Sequence, residues 1–179
     1  MPSEPPGSPG PEIHVFDRTG AGAVDGDRWA ALARTVLIGE SVTVGRLDLS
    51  FVDRDEMTDL NREHMGGDGP TDVLAFPLDG VDEPDGFADL TGVDEVPELD
   101  ELIEPLLGDV VVCPDVAAAQ AADHVGSVDG ELTLLVVHGI LHVLGHDHAE
   151  PEETDRMQAR ERVHLEAAGF VHPRWSPAS

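Results

Sequence analysis

The stretch LLVVHGILHVLGHDH, residues 134–148, decides how this chain is read. It opens as an apolar helical run that carries His138 and His142 four residues apart, so both imidazoles lie on one face of the helix. Gly145 follows three residues later, where a helix can close with a left-handed residue. The chain then turns and presents His148. Three neutral imidazoles with a fourth position left for water are the ligand set of a catalytic zinc site. A lone histidine on an apolar helix is an ordinary core residue; three at ligand spacing, with a glycine stop between the second and third, point to a metal. His146 leaves the tight turn in another direction and reads as a neighbour of the site.

The spacing H-x3-H-x5-H with glycine three residues after the second histidine is also that of the metzincin proteases. Those enzymes carry a glutamate directly after the first histidine, and this chain has Gly139 there. The usual general base is therefore absent, which disfavours peptide hydrolysis. Asp147, Asp72 and His146 are the candidate proton acceptors, and Asp147 equally suits an outer partner that fixes a ligand imidazole.

Composition narrows the remaining classes. The chain has 179 residues, 40% of them apolar, enough for one domain with a real core. No apolar run approaches the roughly 18 residues that a membrane-spanning helix needs. The N-terminus MPSEPPGSPGPE has neither the basic nor the apolar region of a secretory signal. A single cysteine, Cys113, forms no internal disulfide, in keeping with a reducing cytoplasm. It stands before Pro114 at the end of an apolar run and reads as a buried residue. The 37 acidic side chains against 10 basic ones, all arginine, give a formal net charge of −27. Such a surface repels phosphate backbones. It fits a salt-rich cytoplasm or a genome-wide bias equally well.

In chain order, residues 1–11 form a Pro/Gly/Ser tail expected to be disordered. A short strand is expected over 12–16. An amphipathic helix follows over 27–38, with Trp29, Leu32, Ala33, Val36 and Leu37 as its stripe and Gly39 as its stop. Residues 46–52 alternate as a half-buried strand, and Asp53 with Glu56 has the spacing of a helix cap. That helix breaks at Gly66-Gly67. Residues 71–76 form a third strand, bracketed by Pro70 and Pro77 and so suited to a sheet edge. Residues 78–106 read as a dispensable, solvated acidic insertion. A buried strand over 109–113 leads into a helix from Pro114 to about His124, and Gly126–Gly130 breaks it. The histidine helix starts near Glu131. A last helix runs from Pro151 to about Ala168, and 171–179 is a frayed tail. The pattern predicts a single α+β (mixed α/β) domain over 12–170, with about four strands and about five helices.

Three segments carry a family resemblance: HGILHVLGHDH at 138–148, Leu60-Asn61 followed by GPTDVLAFP at 69–77, and GDVVVCPDVAAAQA at 108–121, with ELTLLVVHG running straight into the first. In content and order they resemble the YbeY family of bacterial ribosomal RNA maturation endoribonucleases, over most of residues 45–168. The resemblance implies a mixed sheet of about four strands flanked by helices. It also implies one zinc ion held by His138, His142 and His148. The implied activity is metal-dependent cleavage of single-stranded RNA in small-subunit 3′-end maturation and ribosome quality control. The implied partners are ribosomal RNA or the pre-ribosomal small subunit, and the expected location is the cytoplasm; the acidic charge, separately, suits a basic ribosomal protein as partner. Many members carry an arginine before the PTDVL-like segment, where this chain has Met65; Arg62, one turn earlier, is the candidate substitute for contacting RNA. A zinc-stabilised assembly factor without strong nuclease activity is the alternative that the charge suggests.

Overall fold

The computed structural model describes residues 10–78, 105–123 and 126–171. Four strands, β1 (Glu12–Arg18), β2 (Arg46–Val52), β3 (Val73–Pro77) and β4 (Leu106–Val112), form one sheet in the order β1-β2-β4-β3. The first three in that order are parallel, and β3 runs antiparallel to β4 at the edge. Five helices accompany the sheet: α1 (Gly26–Gly39), α2 (Arg54–Met65), α3 (Pro114–Asp123), α4 (Val128–Val143) and α5 (Pro151–Ala167). The expected α+β domain is thus the observed one. No helix among the described residues is long and apolar enough to cross a membrane.

Strand alternation divides the apolar residues between two faces. Leu47, Leu49 and Phe51 of β2 and Val110 and Val112 of β4 meet Trp29, Ala33, Val36 and Leu37 of α1 and the apolar residues of α4 in the main core. On the other face a smaller cluster joins Val52, Leu74, Val111 and Cys113 to Met57 of α2. The acidic caps read from the sequence start the helices. Asp53 accepts the backbone N–H of Glu56 at 2.9 Å, and Asp25 that of Arg28 at 3.1 Å. Gly66 closes α2 in the left-handed conformation, with φ of 67°.

Several boundaries move for local reasons. Strand β1 continues to Arg18 because it pairs with β2 along its whole length, and β3 begins at Val73, two residues late. Gly39 is the last helical residue of α1, and Ser41, with φ of 67°, takes the left-handed turn expected of that glycine. Ser127 caps α4 by accepting the N–H of Gly130 at 2.9 Å, so the helix starts before Glu131 and absorbs a glycine read as a breaker. Pro11 is buried and its carbonyl accepts a hydrogen bond from Arg34, so the ordered chain begins ahead of residue 12. Leu106 opens β4, three residues before the expected start. The rest of the acidic insertion (79–104), the tails at 1–9 and 172–179, and the end of the helix expected at His124 lie outside the described residues.

Helix α4 is buried along nearly its whole length, from Gly130 to Val143. It lies tight against the sheet at Gly139, where a Cβ would stand 2.5 Å from Cγ1 of Val110 and 3.2 Å from Cγ2 of Val73. Only a residue without a side chain lets the helix lie this near the strands. Gly139→Ala is therefore expected to overpack this contact and cost about 1–3 kcal/mol, read as a lower midpoint in urea unfolding.

Candidate metal centre

Helix α4 turns Gly139 toward the sheet, and His138 and His142 away from full burial into a cavity of about 400 Å³. The helix ends at Val143 with Leu144 as its cap, and Gly145, with φ of 89°, reverses the chain so that His148 reaches the same cavity. Donor atoms of His138, His142 and His148 all lie within 4.8 Å of one another. The Nε2 atoms of His138 and His142 are 3.1 Å apart. Nitrogens bound at about 2.0–2.1 Å in a tetrahedral shell would be separated by about 3.3 Å, so this pair is already spaced to share an ion. Burial first, then the neighbouring His138 and His148, push the pKa of His142 below the ordinary imidazole value. Near neutrality it therefore offers a free lone pair.

The outer side of His138 supplies the strongest sign that the group fits a cation. Its Nδ1 lies 2.6 Å from Oε1 of Glu161 on α5, whose side chain is 2% exposed. With Nδ1–H donating to that carboxylate, Nε2 is left bare toward the cavity. The other oxygen, Oε2, is buried without a hydrogen-bond partner among the described residues. A buried carboxylate with so few donors calls for nearby positive charge, and an ion held across the imidazole ring would provide it.

The remaining candidates have distinct places. His146 lies outside the trio, with Nε2 3.3 Å from Glu40. Glu40 also takes Nε2 of His164 at 2.6 Å and the guanidinium of Arg160 at 2.6 and 2.8 Å. Although burial alone would raise its pKa, these hydrogen bonds from His164 and Arg160 hold the carboxyl below its usual range. The node ties the end of α1 to α5 and to the loop that presents His148. Asp147 is exposed; its Oδ1 accepts the backbone N–H of His148 at 2.7 Å and lies 3.7 Å from that residue's Nδ1. Asp72 borders the cavity but is held by Val73 N–H, the Thr71 hydroxyl and Nε2 of Gln120. Met65 borders it too, whereas Arg62 sits exposed in an ion pair with Asp59 at 3.1 Å. Cys113 is buried in the smaller cluster, and burial raises the pKa of its thiol.

Glu161 beside the trio, like Glu40 behind it, is a residue that sequence reasoning missed. Its signal was present: Met157, Glu161, His164 and Leu165 fall at i, i+4, i+7 and i+8, the buried stripe of α5. A glutamate and a histidine on an otherwise apolar stripe mark a buried polar contact.

A trio of imidazoles, one backed by a carboxylate, on a mixed sheet with an open cavity is a group that could hold one metal ion, as the centres of metal-dependent hydrolases do. Comparison with known proteins names the group more closely. The family model described as Endoribonuclease YbeY matches residues 17–169. Proteins named Endoribonuclease YbeY from Salinispora tropica (46% identical, covering 82% of this chain and 89% of that one) and Frankia casuarinae (47%, 81% and 68%) are similar to it. A solution structure from Thermotoga maritima aligns with a TM-score of 0.54 at 25% identity, over 86% of this chain and 87% of that one. This chain belongs to the YbeY family.

Glu161→Gln keeps the shape of the side chain and removes its charge. Loss of such an outer carboxylate costs about 10–100-fold in metal affinity, and a fall of that size is expected in chelator competition, with the circular dichroism spectrum unchanged.

Proposed function

We propose that this protein is a zinc-dependent endoribonuclease that cuts single-stranded RNA during 3′-end maturation of small-subunit ribosomal RNA and in ribosome quality control in the cytoplasm. The observation that carries the reading is the convergence of His138, His142 and His148, with donor atoms within 4.8 Å, inside an open cavity, in a chain similar to proteins named as endoribonucleases. An all-nitrogen, neutral trio with room for a further ligand suits zinc. When bound, such an ion supplies Lewis acidity toward a phosphoryl oxygen and acidifies water toward neutrality.

The chain's own groups then divide the remaining work. Glu161 fixes the tautomer and ring plane of His138. Asp147 steadies His148 through its backbone N–H and stands beside its Nδ1. A glutamate cannot serve as base at position 139, because a side chain there would run into Val110 and Val73. Asp147, open to solvent, remains the group able to pass a proton outward. Substrate arrives on the pre-ribosomal small subunit, and a basic ribosomal protein is the partner that the net charge of −27 favours. Met65 at the cavity rim and the Asp59-paired Arg62 offer little attraction to phosphate. The same charge supports a second reading, a zinc-stabilised assembly factor with little nuclease activity.

Single-turnover cleavage of a single-stranded ribosomal RNA fragment, with zinc content measured in parallel, separates the two. The nuclease reading expects cleavage by the zinc-loaded protein and at least a hundredfold loss in His142→Ala, together with loss of the metal. An inert zinc-loaded wild type would favour the assembly factor, and undiminished cleavage by His142→Ala would place the chemistry elsewhere.

A further inference from the structure

Strand β3 forms one wall of the metal cavity, and its hydrogen-bonding pattern shows what that wall offers. Cys113 N–H donates to the carbonyl of Asp72 at 2.9 Å, and Leu78 N–H to that of Leu107 at 3.2 Å. With the antiparallel register Val73↔Val112 to Pro77↔Gly108, these bonds fix the alternation. Asp72, Leu74, Phe76 and Leu78 turn their main-chain polar groups toward β4. Val73, Ala75 and Pro77 turn theirs outward, to an edge that no strand among the described residues pairs with. All three residues line the same cavity as His138, His142 and His148.

The donors on this edge are few. Val73 N–H is taken by Oδ1 of Asp72 at 2.8 Å, and proline has no N–H. Ala75 therefore presents the outward N–H of the strand, next to its own outward carbonyl, between the carbonyls of Val73 and Pro77. An added peptide strand needs a run of alternating donors and acceptors, and here the run is cut at both ends. A phosphate is repelled by the flanking carbonyls and the Asp72 carboxylate. A neutral group with a donor beside an acceptor fits, and the Watson–Crick edge of every nucleobase has that arrangement. In a duplex those atoms are already paired, so only an unpaired base can use the edge.

We propose that the free edge of β3 is a nucleobase-docking site, in which the main-chain N–H and C=O of Ala75 hold one unpaired base and so set a neighbouring phosphodiester against the histidine trio. The inference rests on the endoribonuclease reading and deepens it: selection of single strands comes from a neutral backbone contact, which an acidic surface does not oppose. It calls for no particular base.

The test reads binding apart from cleavage, so the two ideas can fail separately. Zinc-loaded protein labelled with ¹⁵N is titrated with a short 2′-O-methyl single-stranded oligonucleotide, and the Ala75 amide is expected to shift most among the β3 amides. With cleavable RNA, moving a single abasic nucleotide along the strand should find one position that lowers kcat/KM at least tenfold. Ala75→Pro removes an outward N–H and no sheet hydrogen bond, so zinc content and melting temperature should stay near wild type. Its KM should rise at least tenfold, and the abasic position should no longer matter. An unresponsive Ala75 amide with a flat abasic profile on RNA that is cleaved overturns the docking site and leaves the nuclease reading standing. An Ala75 shift without cleavage overturns the nuclease reading alone. Should Ala75→Pro fold poorly, the amide titration and the abasic scan of the wild type still decide.

Discussion

The site depends on one steric constraint, the seating of Gly139 against Val110. A helix brings two imidazoles to a common point only if its opposite face is held at a fixed depth. Here the main core fixes that depth, and the missing side chain at 139 allows α4 to approach both β4 and β3. The substitution that removes a protease-type base is therefore the one that lets the helix reach the sheet edge. Position 139 serves packing, and its neighbour His138, one residue away on the helix, faces the cavity.

A buried carboxylate on α5 and a half-buried one at the end of α1 then hold the first ligand and the third in place. Glu161 meets His138, and Glu40 gathers Arg160, His164 and His146. Glu40 closes α1, so the turn after α4 is tied to the opposite end of the sequence, and His148 is delivered by a loop anchored at His146. Both contacts are costly to break, since either carboxylate would lose the donors that offset its burial. They also explain two of the histidines beyond the trio: His146 and His164 are structural partners of one glutamate.

Much of this was legible from residue patterns, and what was missed has a common cause. The alternation of Leu47, Leu49 and Phe51 placed β2 with its observed bounds, the Asp53 cap placed α2, and the prolines at 70 and 77 placed β3 at the edge. These are local signals, each decided within a few residues. The start of α4 was misplaced because Gly130 looked like a breaker while the Ser127 cap outweighs it. Glu161 and Glu40 escaped because their partners lie 23 and more than 100 residues away. Periodicity shows which face a residue occupies but not which charge it will meet there. The outward amide of Ala75 was hidden for a similar reason, since register is a property of two strands.

Helix α4 and the turn after it bring three imidazoles into one cavity, placed to hold one ion with a position left open. X-ray absorption at the zinc edge of the loaded protein tests this placement directly. Three histidine nitrogens at about 2.0–2.1 Å and one further light ligand are expected. A sulfur at about 2.3 Å, or a shell with fewer than three imidazoles, would contradict it.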